Sequence, residues 1–347
     1  MNIALLAPLW KKIPPDKYGG SELVVANLAK GLSNLGHDVT TFACAGSEVT
    51  GTLVPVIDRP MYELVGGFNW NGIQQYEFLS YFELAKSARE FDIVHNHMGI
   101  HPNAFAPLLP EPMVTTMHSS APPDFPVLAE TFRGEAFVSV SDSQRILAPM
   151  LRYVATVYHG IDVESFEPRL SGNGKGFVFL GTISQSKGVD IAIKTAKTLK
   201  IPLTIAGEIR ESDQKFFDKE VAPSLDGKNI RFIGEVGHRE KATIIREADA
   251  LLFPSRWNEA FGLVMIEALA CGTPVVALNN GSVPEVLRDG VTGFIANDSE
   301  AFIKAASSIN QLSRTAVRKE AEERFDLSSM AKKYVEVYQS LIKKYRT

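Results

Sequence analysis

The chain has 347 residues, 45% of them hydrophobic and 22% charged, with a formal net charge of -4; this is more than one hydrophobic core serves, so two α/β domains are expected. The slight acidity argues against a nucleic-acid partner, and no apolar run approaches the ~18 to 20 residues that span a bilayer. Residues 1–6 run into a strand pattern without a cationic signal region, and the two cysteines, Cys44 and Cys271, are too isolated for a disulfide framework or a cysteine-rich metal site, which reads as a cytoplasmic protein with two small buried thiols.

In chain order, the first segment is a short apolar strand at 3–7, then a loop rich in Pro, Lys and Gly at 8–20. A run follows in which Leu23, Val24, Leu28, Leu32 and Leu35 recur at helical spacing, with Ser21 as the expected N-cap and Gly36 past the C-terminus. Further short strands are predicted at 37–43, 91–95, 112–116, 136–140 and 154–158, several of them continuously apolar as buried parallel strands are. Residues 168–176, with Ser171, Gly172, Asn173, Gly174 and Gly176, read as a flexible joint between domains. The second half repeats the alternation, with strands at 177–180, 203–206, 230–233, 250–253, 274–277 and 294–296. Residues 327–345 read as a helix whose Lys332, Lys333, Lys343 and Lys344, with Arg346, form a solvated face, peripheral contact with an anionic membrane being the alternative.

In open parallel sheets, ligands bind beyond the carboxyl ends of the strands, where helix N-termini present free N–H groups. Gly19 and Gly20 lie in such a loop, where glycine lets backbone N–H groups approach an anion, or simply makes the turn. His118 follows the strand ending at Thr116 and can hydrogen-bond a sugar hydroxyl or respond to developing charge. His95, His97 and His101 raise a zinc alternative, which lacks a carboxylate or cysteine to complete a tetrahedral set. Lys187 and Gly188 follow the strand at 177–180, placing a cation where a phosphate would sit, unless the lysine is merely solvated. The densest signal is residues 254–272, directly after the strand at 250–253. There Glu259 lies in a loop, Gly262, Leu263 and Val264 open a helix, and Glu267 falls inside it. Two carboxylates in that arrangement can bind hydroxyls of a hexose and of a ribose, with a diphosphate between them on the helix terminus.

These residues resemble the retaining family 4 glycosyltransferases of GT-B fold. The resemblance runs through the Gly-Gly loop with Ser21 and Glu22, the strand end at His118, residues 181–188 and 233–236, the Glu259 and Glu267 pair with Phe-Gly-Leu between, and residues 272–276 and 289–293. It implies two Rossmann-like domains facing across a cleft, an acceptor-side domain at 1–167, a nucleotide-sugar domain at 168–325, and a helix at 326–347 packing back on the first. By the same resemblance, Glu259 holds donor sugar hydroxyls, Glu267 the ribose, and the N–H groups of Phe261, Gly262, Leu263 and Val264 the diphosphate. Lys187 binds the phosphates, Glu235 and Val236 pair with the nucleobase through their backbone, Gly19 and Gly20 meet the phosphates, and His118 sits by the reacting sugar. The family retains the anomeric configuration, with the leaving phosphate helping to deprotonate the acceptor.

No cofactor is implied beyond the nucleotide-diphosphate sugar itself, a UDP-sugar first among candidate donors, and the acceptor would be a saccharide, lipid or small-molecule hydroxyl. No Asp-x-Asp occurs to hold a divalent ion, so cationic side chains and helix N-termini are expected to neutralise the diphosphate. Thr182 stands where the family usually has Arg, which leaves Arg256, Arg210 and Lys17 as cations to compensate. His159 stands where Asn is common, a difference expected to affect the hinge more than the chemistry. Two rival readings remain, a donor-binding pseudo-transferase subunit and a sugar-nucleotide epimerase of the same fold. The aromatic residues of 61–82, namely Tyr62, Phe68, Trp70, Tyr76, Phe78, Tyr81 and Phe82, serve either an acceptor or core packing.

Overall fold

The computed structural model describes residues 1–65, 73–87, 90–119 and 125–346. The chain divides into two compact units, one of Met1–Ile161 with Leu327–Thr347 and one of Asp162–Asp326. The first unit runs β1 (Asn2–Leu6), α1 (Gly20–Asn34), β2 (Asp38–Cys44), β3 (Thr52–Ile57), α2 (Met61–Leu64), α3 (Ile73–Ala85), β4 (Ile93–Asn96), β5 (Met113–Thr116), α4 (Phe125–Thr131), β6 (Ala136–Ser139), α5 (Asp142–Leu147) and β7 (Tyr153–Thr156). Its strands form one parallel sheet in the order β3-β2-β1-β4-β5-β6-β7. β4, β5 and β6 are buried at every position, as a sheet covered on both faces requires. β3 has no counterpart in the sequence reading. It is a half-exposed edge strand interrupted by Pro55, a residue tolerated at an edge because no neighbour needs its missing N–H.

The second unit runs β8 (Phe177–Leu180), α6 (Val189–Leu199), β9 (Leu203–Ala206), α7 (Gln214–Phe216), β10 (Ile230–Phe232), α8 (His238–Glu247), β11 (Ala250–Phe253), α9 (Leu263–Ala270), β12 (Val275–Leu278), α10 (Val283–Val286), β13 (Gly293–Ala296), α11 (Ser299–Ser307) and α12 (Arg314–Arg324). Its sheet is also parallel, ordered β10-β9-β8-β11-β12-β13. Phe177, Phe179, Ile191, Ile205 and Phe302 pack in its core. The last helix, α13 (Leu327–Tyr345), joins the first unit and packs on α1. It buries Met330, Tyr334 and Tyr338, while its lysines are exposed.

Both sheets therefore reverse direction once, between β1 and β4 and between β8 and β11, so that adjacent loops leave the sheet to opposite sides and open a crevice. Two local expectations need correction. Gly19, not Ser21, is the N-cap of α1, with no side-chain cap bond, so that Ser21 lies inside the first turn. Residues 168–176 are not a loose joint, since the boundary falls earlier, at Ile161, and the segment is pinned within the second unit. Asp249 accepts from the N–H groups of Gly174 and Gly176 at 2.5 and 3.0 Å. Arg169 donates to the carbonyls of Gly172, Arg246 and Ala248.

Candidate active site

At the reversal point of the second sheet, the loops after β8 and β11 are bonded together. The Arg256 N–H donates to the Ser186 carbonyl at 2.8 Å, and its guanidinium to the Gln185 carbonyl at 2.7 Å. Gly188 has φ +75°, and a Cβ there would lie 2.0 Å from the Pro254 carbonyl oxygen, so only glycine permits this approach. The consequence is that Lys187 meets Glu259, 72 positions away: its Nζ donates to Oε1, and the Ser255 hydroxyl donates to the same oxygen at 3.1 Å. The carboxylate is also held from behind. Gly281 presses on the Glu259 backbone, where a Cβ would meet the carbonyl oxygen at 2.5 Å and the nitrogen at 2.6 Å, and the Ser282 N–H donates to that carbonyl.

α9 starts at Leu263, after Phe261 and Gly262, so the N–H groups of Leu263 and Val264 have no carbonyl one turn back and form the positive end of the helix. Glu267, the fifth residue of that helix, is 1% exposed. Its Oε1 accepts from Lys241 of α8 at 2.5 Å. Glu235 and Val236 are half-buried in the loop after β10, where the Gly207 N–H donates to the Gly234 carbonyl at 2.8 Å. Thr182 is buried, its side chain too short to act as the absent arginine would. Arg256, expected as a spare cation for the donor, is bonded to both oxygens of Asp190 at 2.8 and 2.7 Å; its charge is already matched. Arg210 stands 3.9 Å from Glu208, and Lys17 is an exposed residue of the first unit.

In the first unit, the loop after β1 ends at Gly19, with Gly20 the first residue of α1 rather than a loop residue, and His97 follows β4, on either side of that sheet's reversal. Four imidazoles form a column there, with ring centroids 3.9 Å apart for His95 and His97, which are tilted by 42°, and 5.1 Å for His97 and His118 and 5.2 Å for His118 and His159, which are stacked. His95 is bonded through Nδ1 to the Tyr338 hydroxyl at 2.7 Å and through Nε2 to Thr116 at 2.8 Å. Thr116 in turn meets Tyr334 at 2.9 Å. His97 Nδ1 and His118 Nε2 share one hydrogen bond of 2.8 Å. Burial holds His118 down at about 4, and burial, reinforced by neighbouring imidazoles, holds His95, His97 and His159 well below the ordinary histidine value. All four rings are therefore neutral at pH 7. Both nitrogens of His95 are hydrogen-bonded within the protein, and no group of three or more His, Cys, Asp or Glu that could hold a metal is found among the described residues. His159, expected to matter mainly to the hinge, stacks directly on His118. Glu22, in the first turn of α1 beside the Gly-Gly loop, is buried, which pushes its carboxyl up to about 7.

The aromatic residues of 61–82 divide. Tyr81 is buried and stacks on Phe105 at 4.8 Å, and Tyr76 packs beside Met61. Phe78 and Phe82 are exposed, and Lys11 and Lys86 lie over the rings of Tyr62 and Phe82. Phe68 and Trp70 lie outside the described residues. Sequence reasoning missed Ser255, Gly281 and Lys241. Ser255 lay inside the 254–272 segment and Gly281 shortly after a strand end, whereas Lys241 carried no local signal.

Comparison with known proteins now fixes the class. The chain matches the profile "Glycosyl transferases group 1" over residues 161–332 and "Glycosyltransferase Family 4" over residues 18–165. It belongs to the family 4-type glycosyltransferases of GT-B fold. A phosphatidyl-myo-inositol mannosyltransferase of Mycolicibacterium smegmatis is 27% identical, the match covering 98% of this chain and 94% of that protein. AviGT4, a glycosyltransferase involved in avilamycin A biosynthesis, has a similar structure, with a TM-score of 0.77 at 24% identity, covering 99% of this chain and 98% of that one. The Anabaena protein HepE in complex with UDP-glucose matches with a TM-score of 0.73 at 18% identity, covering 98% and 100%. Among the described residues, no helix is long and apolar enough to cross a membrane.

Proposed function

We propose that this glycosyltransferase moves a hexosyl group from a UDP-sugar, with retention of configuration and without a metal ion, to a hydroxyl of a saccharide, lipid or small molecule. The observation that carries the reading is the Lys187–Glu259 pair beside the N-terminus of α9, at the reversal point of the second sheet. A diphosphate arriving at that terminus finds N–H groups and a lysine whose counter-ion can turn to sugar hydroxyls. Lys187 passes from carboxylate to phosphate, and Glu259, released, accepts from the hexose. Glu267 takes the ribose, and the backbone at Glu235 and Val236 takes the base. HepE was solved with UDP-glucose, which favours UDP among nucleotides. The acceptor oxygen attacks the anomeric carbon, the bond from that carbon to the phosphate oxygen breaks, and the acceptor proton passes to the leaving phosphate. Neutral His118, by the reacting sugar, hydrogen-bonds a hydroxyl without adding charge. The absence of Asp-x-Asp from the sequence supports neutralisation by Lys187 and the N-terminus of α9.

A thermal-shift panel of UDP-, GDP-, ADP- and dTDP-sugars tests donor binding, since a ligand at 100 times its Kd adds about 2.7 kcal/mol of stability. A flat response to all four removes the donor-site assignment. Release of free nucleotide in chelator then tests catalysis: Glu259→Ala is expected to lower it at least about a hundredfold, in keeping with loss of a group acting on the transition state. The buried Thr182 and the committed Arg256 favour one competing reading, a donor-binding subunit without catalysis. Binding with no turnover on any acceptor would establish it.

A further inference from the structure

Two carboxylates flank the N-terminal half of α9, and each has its own lysine. Lys187 lies in a motif that the sequence displays; Lys241 lies in none. We propose that Lys241 is a positioning residue for nucleotide binding: from α8 it fixes one oxygen of Glu267 and leaves the other for the ribose hydroxyls. The inference rests on the reading of Glu267 as the ribose ligand.

Glu267 sits among Met265, Ile266, Ala268 and Leu269, all fully buried. An ionised carboxylate in such surroundings needs a partner charge, or it takes up a proton. Lys241 supplies that charge at 2.5 Å, with its own side chain 22% exposed. The bond engages Oε1, and no hydrogen bond to Oε2 is found among the described residues. A single charge-assisted bond on one oxygen fixes the plane of the carboxylate and hence the direction in which the other oxygen accepts.

The lysine's place in the chain adds a second argument. α8 begins immediately after the segment of Glu235 and Val236, and the Lys241 N–H donates to the Gly237 carbonyl at 2.9 Å. The segment assigned to the base therefore runs straight into the helix that orients the ribose carboxylate. Base and ribose are read from one continuous element. Titratable and charged groups around the pair include His238 of α8, whose ring packs on Phe166 at 4.9 Å and which also faces Asp162, and Cys271 at the end of α9, around which stand Arg246, Arg314 and Arg318, the last bonded to the carbonyls of Ala270, Val163 and Phe166.

The test is calorimetric titration of the full chain with UDP, GDP and ADP, followed by the 2′-deoxy and 3′-deoxy forms of the tightest binder, from pH 5.5 to 8.5. Lys241→Met, Lys241→Arg, His238→Asn and Glu267→Gln are each compared with the parent as a ratio of Kd at each pH, which cancels titration of the ligand. The expected result is that Lys241→Met binds at least tenfold more weakly at pH 6, recovers as pH rises by up to about tenfold per unit, and loses the preference for ribo- over deoxynucleotide. Lys241→Arg keeps parent behaviour, and His238→Asn produces no new pH slope. If Lys241→Met does not fold, Lys241→Gln carries the same comparison. Parent affinity and pH profile in the neutral variant, or a pH-independent loss that leaves the deoxy preference intact, overturns the positioning role. Glu267→Gln binding ribo- and deoxynucleotides as the parent does would instead overturn the ribose reading.

Discussion

His118 presents a neutral imidazole because three other rings and the protein interior exclude water from it, and that arrangement has a pH consequence. An exposed histidine in the unfolded chain takes up a proton near 6.5, whereas folded His118 does so only near 4. Between those values the unfolded state binds more protons, so stability rises with pH and falls as pH drops from about 6.5 toward 4. For His118 alone the loss is on the order of 3 kcal/mol, and His95, His97 and His159 add to it. Thermal melts at successive pH values are expected to show this slope, flattened in His118→Phe. Glu22 acts with the opposite sign: its folded value near 7 lies above its ordinary 4.5, so it is destabilising once pH rises through that window. Glu22→Gln is expected to raise stability at pH 8 by roughly 1 to 3 kcal/mol and leave it nearly unchanged at pH 4. At this scale the sequence marks residues by position after strands, which is why Glu259, Glu267, Lys187 and His118 were visible. Lys187 and Glu259 proved to be partners of each other, but the partners of Glu267 and His118 left no mark. Lys241 lies 26 positions from Glu267, and His97 lies 21 from His118; contacts between separate elements leave no local pattern.

The strands that were legible carry a short uninterrupted apolar or β-branched run, whether buried at every position, as in β8, β11 and β12, or partly exposed, as in β7 and β13. α13 was legible over its full length, since its buried stripe recurs at helical spacing. The edge strand β3 was not, because Pro55 splits its apolar run, and proline within a run argues against a strand. Residues 168–176 read as a joint because glycine and serine mark flexibility in a sequence, yet the carboxylate of Asp249 and the fork of Arg169 immobilise them. Glycine marks close approach as often as freedom, and Gly188 is the case that matters for the site. Gly188→Ala combines a strained positive φ with a collision against the Pro254 carbonyl, and is expected to cost at least about 2 kcal/mol. If the loop after β8 is what carries Lys187 to Glu259, the same variant loses most of its thermal response to UDP-sugars while β8 and β11 still pair. Retained stability and response would show that the loop reaches Glu259 without that approach.

On the scale of the whole chain, the first unit is discontinuous: Met1–Ile161 is completed by a helix from the far end of the sequence. Tyr334 and Tyr338 are fully buried and bond Thr116 and His95, so a chain of residues 1–161 alone leaves His95 Nδ1 without its partner, Thr116 with only its bond to His95, and the α1 face uncovered. That fragment is expected to lack a cooperative melt, and addition of residues 327–346 through a short linker to restore one, while residues 162–326 fold by themselves. Circular dichroism melts of the three fragments decide it. The same discontinuity sets an order of events during synthesis. The second unit is the first to have all its parts outside the ribosome, although it is encoded later. The first unit waits through the synthesis of some 185 further residues, roughly 10 to 40 seconds at 5 to 20 residues per second. Until α13 emerges, the apolar face of α1 and the polar end of the histidine column stand open, and in that interval the nascent chain is exposed to aggregation or to capture by a chaperone.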